Sequence, residues 1–244
     1  MLAPITIRYG VSAKRPSLMA AEVCDTFGLR ADEPPLTVCE NLVLDVQPHE
    51  LVLFTGPSGS GKSSILRAVA AQLHAVDATA LLLPDAPLAE ALPGTVQERL
   101  STLAACGLGE ARLMLRTPGE LSDGQLARYR LAYALATTAA PLACDEFTAL
   151  LDRPLAKVLA FGVRKLVSRT QRGLLVATAH EDIAEDLQPD VHIRCAGDGG
   201  ISVSRADAKK KRSPLAETSG CRPVPTPTGR ISLGGITAAT TSAS

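Results

Sequence analysis

Residues 56–64 read GPSGSGKSS, directly after the apolar run LVLFT. Gly56, Gly61, Lys62 and Ser63 stand at the defining places of the pattern G-x-x-x-x-G-K-[ST]. Glycines, Gly59 among them, let backbone N–H groups turn inward around phosphate oxygens, and a helix opening near Gly61 aims the positive end of its dipole at the same anion. Lys62 is placed to reach the outer phosphates of a nucleoside triphosphate, and the hydroxyl of Ser63 is a ligand for Mg²⁺. Ser58 and Ser64 complete a polar phosphate-binding lining. A flexible Gly/Ser turn is the alternative, and the flanks argue against it. ELVLFT (50–55) reads as a buried strand, and KSSILRAVAAQL (62–73) puts Ile65, Leu66, Val69 and Leu73 on one helical face, so the loop joins a strand to a helix.

A second set of residues lies downstream. The apolar PLAC ends in Asp145 and Glu146, a carboxylate pair suited to hold a metal ion through water and to accept a proton from an attacking water. Taken alone, such a pair also reads as an acidic strand end capping the next helix. It is accompanied by LSDGQ (121–125) upstream, by TALLD (148–152) directly after it, and by VATAHED, which closes another strand run at His180.

These groups need a scaffold. Strand-like runs recur at NLVLDV (41–46), ELVLFT, ATALLL (78–83), PLACDE (141–146), GLLVAT (173–178) and VHIRCA (191–196), with helical periodicity between several of them. One helix is predicted to begin at LDRP. Asp152 caps it, Pro154 sits near its start, and Leu155, Val158, Leu159, Leu166 and Val167 share a face. The alternation predicts an α/β fold with a mainly parallel sheet flanked by helices.

In this order and spacing the chain resembles the nucleotide-binding domain of an ABC ATPase, a P-loop NTPase, over roughly residues 27–200. The matching parts are the phosphate loop, the LSDGQ signature, a Walker B strand with its glutamate, a D-loop ending at Asp152, and a switch histidine at His180. The resemblance implies that two such domains pair head to tail. Ser122, Gly124 and Gln125 of one would close over ATP held by the phosphate loop of the other. His180 would contact the γ-phosphate from its own side, Asp152 would organise the dimer contact, and Glu146 would act as the base. An aromatic residue upstream of the loop usually stacks on adenine, for which Phe27 has the matching separation and Tyr9 is second. Core packing is the other reading of Phe27.

Three departures matter. Asp123 replaces the first glycine of the usual signature and brings a negative charge toward the expected γ-phosphate. Asp85 stands where a Mg²⁺-sensing glutamine is usual; it is able to meet a Mg²⁺-bound water, but leaves the usual coupling to a membrane subunit in question. His49 sits where a turn glycine is common and reads as a turn residue. The segment between Lys62 and Leu121 is short for a transporter, leaving a small helical subdomain at about 86–140. The stretches ITIRYG, AAEVCDTFGL and EDLQPDVHI further resemble a little-characterised group of ABC ATPases associated with predicted acetyltransferase domains. Together these features favour an ATPase acting on an unidentified protein partner over the ATP-binding subunit of a membrane transporter. An ATP-binding switch with little turnover is a third reading, opposed by the presence of Glu146 and His180.

Composition sets the outer limits. At 244 residues, 46% hydrophobic and 20% charged, the chain has the makeup of a soluble globular protein. Lysine plus arginine equals aspartate plus glutamate at 25 each, so no overall field points to nucleic acid. Six cysteines without a C-x-x-C pair and four histidines without an H-E-x-x-H spacing predict reduced thiols and no zinc site. No apolar run reaches spanning length and the N-terminus lacks the regions of a signal peptide, which predicts a cytoplasmic protein. The ATPase domain is expected over 1–205. From 206 to 244 the composition turns to Ser, Thr, Pro, Gly and Ala, with KKKR at 209–212, and predicts a low-complexity, disordered tail.

Overall fold

The computed structural model describes residues 1–9, 17–28, 35–197 and 199–206. The low-complexity tail beyond Ala206, with KKKR and Cys221, lies outside the described residues. In chain order the elements are β1 (Ile5–Tyr9), α1 (Leu18–Phe27), β2 (Leu36–Leu42), β3 (Leu51–Thr55), α2 (Lys62–Gln72), β4 (Val76–Asp77), α3 (Leu88–Ala91), α4 (Val96–Ala105), α5 (Ala111–Met114) and α6 (Asp123–Thr137). They continue with β5 (Leu142–Cys144), α7 (Arg153–Thr170), β6 (Leu174–Thr178), α8 (Ala184–Leu187), β7 (Val191–Cys195) and β8 (Ile201–Arg205).

A six-stranded sheet runs in the order β4-β5-β6-β3-β7-β8. Its strands are parallel except for β8, which returns antiparallel to β7. β3 lies in the interior of the sheet with all five residues buried, as expected of a strand covered on both faces. The period of two sorts its side chains. Leu51 and Leu53 join Leu142, Leu174 and Val176 in a core shared with α6 and α7. Val52 and Phe54 join Leu175, Ala177 and Ile193 in a second core under α2 and the separate two-stranded sheet β1–β2. From 86 to 140 every regular element is a helix.

Local chemistry explains the boundaries. Gly61 opens α2, whose buried face carries Ile65, Leu66 and Val69 as the periodicity predicts, with Leu73 half-buried just past the end. α6 begins with a reciprocal cap. The Ser122 Oγ accepts from the Gln125 backbone N–H at 3.4 Å, while the Gln125 Oε1 accepts from the Ser122 N–H at 3.0 Å. Asp152 caps α7, its Oδ1 accepting from Leu155 N–H at 2.8 Å.

Three expectations shift. The NLVLDV run keeps its alternation, with Leu44 and Val46 buried, but the pairing of β2 with β1 ends at Leu42, so the strand covers only its first two residues. The ATALLL run is not a strand. β4 stops at Asp77, whose Oδ1 accepts from both the backbone N–H and the hydroxyl of Thr79 at 2.8 and 2.7 Å, and this turn diverts the chain and leaves Leu82 exposed. On α7 the buried face is Ala156, Leu159, Ala160, Val163 and Val167, whereas Val158 is exposed.

The packing of α7 on α4 depends on a missing side chain: a Cβ on Gly162 would lie 2.0 Å from the carbonyl oxygen of Ala105. Alanine has the better helix propensity by about 1 kcal/mol, but this contact is with backbone and cannot be relieved by a rotamer change. Gly162→Ala is therefore expected to destabilise the protein by about 1–3 kcal/mol. Gly119→Ala, where nothing lies within 4 Å, is expected to stay within about 0.5 kcal/mol of wild type. Urea midpoints of the two variants check this; equal stability would refute the close approach.

Candidate functional site

The parallel register brings the chemistry to one edge of the sheet. Thr55 pairs with Thr178 and Cys144 with Val176, so the loops leaving β3, β5 and β6 emerge side by side at the carboxyl ends of the strands. They enclose a cavity of about 340 Å³ lined by Ser58, Gly59, Gly61, Lys62, Ser63 and Ser64 from the first loop. Asp145, Glu146 and Ala149 come from the second, Ala177 to His180 from the third, and Tyr9 from β1.

The loop after β3 requires its glycines. A Cβ on Gly56 would lie 2.0 Å from the carbonyl oxygen of Cys195, and one on Gly61, at φ +86°, would lie 2.1 Å from a methyl carbon of Val38. α2 starts without any side chain capping its first N–H groups, which leaves the positive helix end facing the cavity. Lys62 folds over its own loop, its Nζ donating to the Pro57 carbonyl at 2.7 Å.

Asp145 is held from several sides. Its Oδ1 accepts from the Ser63 hydroxyl at 3.0 Å and from the Glu146 N–H at 3.1 Å, and its Oδ2 lies 3.4 Å from the Arg67 guanidinium. Ser63 and Asp145 are hard oxygen donors side by side at the phosphate loop. That suits Mg²⁺, which takes few protein ligands and completes its shell with water and phosphate. Among the described residues no group of three or more His, Cys, Asp or Glu forms a metal cage. Glu146 is exposed at the cavity with φ +53°, in the left-handed region uncommon for a residue with a side chain. The chain is then fixed by the Phe147 N–H donating to Ala177 O at 2.9 Å, with Phe147 and Thr148 buried. His180 Nδ1 is 3.1 Å from the Thr148 hydroxyl. Burial pushes the Cys144 thiol up to about 12, and the charges of Asp77 and Asp145 add to it, so it is a neutral core group.

The structure thus gathers Ser58, Gly59, Gly61, Lys62, Ser63, Ser64, Asp145, Glu146 and His180. Gly56 lies behind them as packing. Phe27 does not join: it ends α1, the residue is 73% exposed and it is not in the cavity lining, whereas Tyr9 lines the cavity with its hydroxyl on the Ser64 hydroxyl. Asp85 is exposed and also outside the lining. Ser122, Gly124, Gln125 and Asp152 are absent from it too, being engaged at the starts of α6 and α7. Asp123 lies in the first turn of α6, where the helix dipole favours a carboxylate. It lines a second cavity of about 310 Å³ with Gly124, Arg128 and Arg130, which shares Asp145, Glu146 and Ala149 with the first. Sequence reasoning missed Arg67 and Thr148. Arg67 is four residues after Ser63 and so on the same face of α2, a detectable signal; no local pattern marks Thr148 as a neighbour of His180.

Sheet, loop and carboxylate edge together define a P-loop NTPase of the α/β class. No family model matches the chain. It is 30% identical over 188 residues to the lipoprotein-releasing system ATP-binding protein LolD of Novosphingobium aromaticivorans, covering 61% of this chain and 84% of that one. It is 33% identical over 201 residues to the aliphatic sulfonates import ATP-binding protein SsuB 3 of Paraburkholderia xenovorans, covering 75% and 79%. Among solved structures, the ATP-binding cassette MJ0796 in a dimeric post-hydrolysis state bound to ADP and Pi superposes with a TM-score of 0.56 at 19% identity, over 84% of this chain and 97% of that one. The chain belongs to the ABC ATP-binding cassette family of ATPases.

Removing the Lys62 ammonium takes away one charge-assisted contact and no core packing. Lys62→Ala is expected to weaken ATP binding by about 10- to 100-fold with an unchanged unfolding midpoint. Calorimetric titration checks it; wild-type affinity in the folded variant would show that the loop does not hold the phosphates.

Proposed function

We propose that this chain is the ATP-hydrolysing subunit of a membrane transport system and works as a head-to-tail dimer. The single observation that carries ATP hydrolysis is the convergence of Lys62, Ser63, Asp145, Glu146 and His180 on one cavity from three adjacent strand ends. Transport is supported by the relatives named above, which are ATP-binding proteins of a lipoprotein-releasing and a sulfonate import system. This reverses the preference that Asp85, the short helical segment and the likeness to acetyltransferase-associated cassettes suggested from sequence. A soluble role retains one argument, the exposed Asp85 lying away from the cavity.

In this reading the N–H groups at the start of α2 and the Lys62 ammonium bind the phosphates, and Tyr9 takes the adenine side in place of Phe27. Ser63 and Asp145 would hold Mg²⁺, which would supply positive charge against the phosphates. Glu146 accepts a proton from the attacking water as its oxygen bonds to the γ-phosphorus and the bond to the bridging oxygen of ADP breaks. His180 hydrogen-bonds the γ-phosphate. The solved cassette MJ0796 is dimeric, which supports Ser122, Gly124 and Gln125 acting on ATP held by a second copy. The expectations of a cytoplasmic location and of an ATPase domain over 1–205 with a helical subdomain belong to the same proposal. Among the described residues no helix is long and apolar enough to cross a membrane.

Glu146→Gln keeps the shape and loses the base. It is expected to bind ATP, to hydrolyse it at least about 100-fold more slowly, and to accumulate as an ATP-bound dimer visible by light scattering. Wild-type turnover would reduce Glu146 to a turn residue.

A further inference from the structure

At the wall of the cavity, two hydroxyls and an imidazole form a chain. Thr178 ends β6 and Thr148 follows Glu146 by two residues, and both are buried. Their Oγ1 atoms are 2.7 Å apart, Thr148 Oγ1 is 3.1 Å from His180 Nδ1, and the His180 backbone N–H donates to Thr178 Oγ1 at 3.1 Å. Each hydroxyl has one proton to give, and neutral imidazole has one N–H and one acceptor nitrogen. With the proton on Nε2, Thr178 donates to Thr148 and Thr148 donates to Nδ1, so every hydroxyl proton has an acceptor. With the proton on Nδ1, that N–H donates to Thr148, and whichever hydroxyl donates across the Thr148–Thr178 contact, the other is left with a proton that has no acceptor among the described residues. A buried unpaired O–H is the costlier state.

We infer that the Thr178–Thr148 hydroxyl pair is a positioning device that holds His180 with its proton on Nε2, where it serves the γ-phosphate as a hydrogen-bond donor. The same pair ties the loop carrying Glu146 to the loop carrying His180, so base and donor are set relative to one another before nucleotide arrives. The phosphate contact rests on the function proposed above; the tautomer is a property of the nucleotide-free chain and is measured without it.

The test is ¹⁵N NMR of the ring nitrogens in histidine-labelled full-length protein at about pH 8. Of the four histidines, His180 is the signal lost in His180→Gln. The Nε2–H tautomer is expected in wild type and in Thr148→Ser. Thr148→Val, which keeps shape and loses the hydroxyl, is expected to shift the population toward Nδ1–H. Its kcat for ATP falls about tenfold at unchanged KM, the size of one hydrogen bond, and returns to near wild type in Thr148→Ser. Should Thr148→Val fail to fold, Thr148→Ala, which also removes the hydroxyl beside Nδ1, is read in the same way. An Nδ1–H tautomer in the wild type overturns the inference, as does a valine variant with wild-type tautomer and turnover. Full hydrolysis by His180→Gln with the expected wild-type tautomer overturns only the phosphate-donor role and so marks a failure of the functional reading.

Discussion

The parallel pairing of β3 with β6, and of β6 with β5, is the constraint on which the site depends. Because Leu51–Thr55 runs in step with Leu174–Thr178, and Leu142–Cys144 with Leu174–Val176, three loops distant in sequence leave the sheet at one edge. A parallel pair cannot slip by one residue without turning its buried set over. Leu53 and Val176 face one core while Phe54 and Ala177 face the other, so the two cores lock the register that aligns Gly56, Asp145 and His180. Burial energy, spread over both faces of the sheet, is thereby converted into the position of a few polar groups. The same pairing is secured at the opposite edge, where Asp190 accepts from the Leu51 N–H at 2.9 Å and pairs with Arg164 of α7.

Asp145 shows how finely those groups are shared. One carboxylate oxygen serves the Ser63 hydroxyl and the Glu146 N–H, and the other faces Arg67. Arg67 is largely exposed and its pairing is screened by solvent, so it contributes little stability; the Ser63 contact orders two groups suited to the same ion. Among the described residues the Glu146 carboxylate has no such partner, and it stands at the cavity on a backbone in the left-handed region, followed by the buried Phe147 and Thr148. An exposed carboxylate on a fixed backbone suits a base that must meet a water.

Much of this was legible in the sequence because it is local. The phosphate loop carries its own geometry in Gly56 and Gly61, the Ser122 and Asp152 caps announce their helices, and β3, β5, β6 and β7 appear as apolar runs. What failed was non-local. NLVLDV alternates like a strand, yet where β2 stops depends on its partner β1. Phe27 has the expected separation from the loop, but it is Tyr9 of β1 that lines the cavity. Asp85 follows an apolar run that the Asp77–Thr79 turn keeps from forming a strand. The Thr148–Thr178–His180 chain joins residues 30 and 32 positions apart, which no periodicity reveals.

In this chain alone the signature residues are spent on capping: Ser122 and Gln125 satisfy one another, and neither lines the phosphate cavity. A site completed by a second copy is therefore tested most directly by mixing two inactive chains, Lys62→Ala and Ser122→Arg. Head-to-tail pairing predicts partial recovery of ATP hydrolysis on mixing, and wild-type specific activity that rises with protein concentration as dimers populate. Activity in the wild type that is independent of concentration, together with a fully active Ser122→Arg monomer, would contradict it.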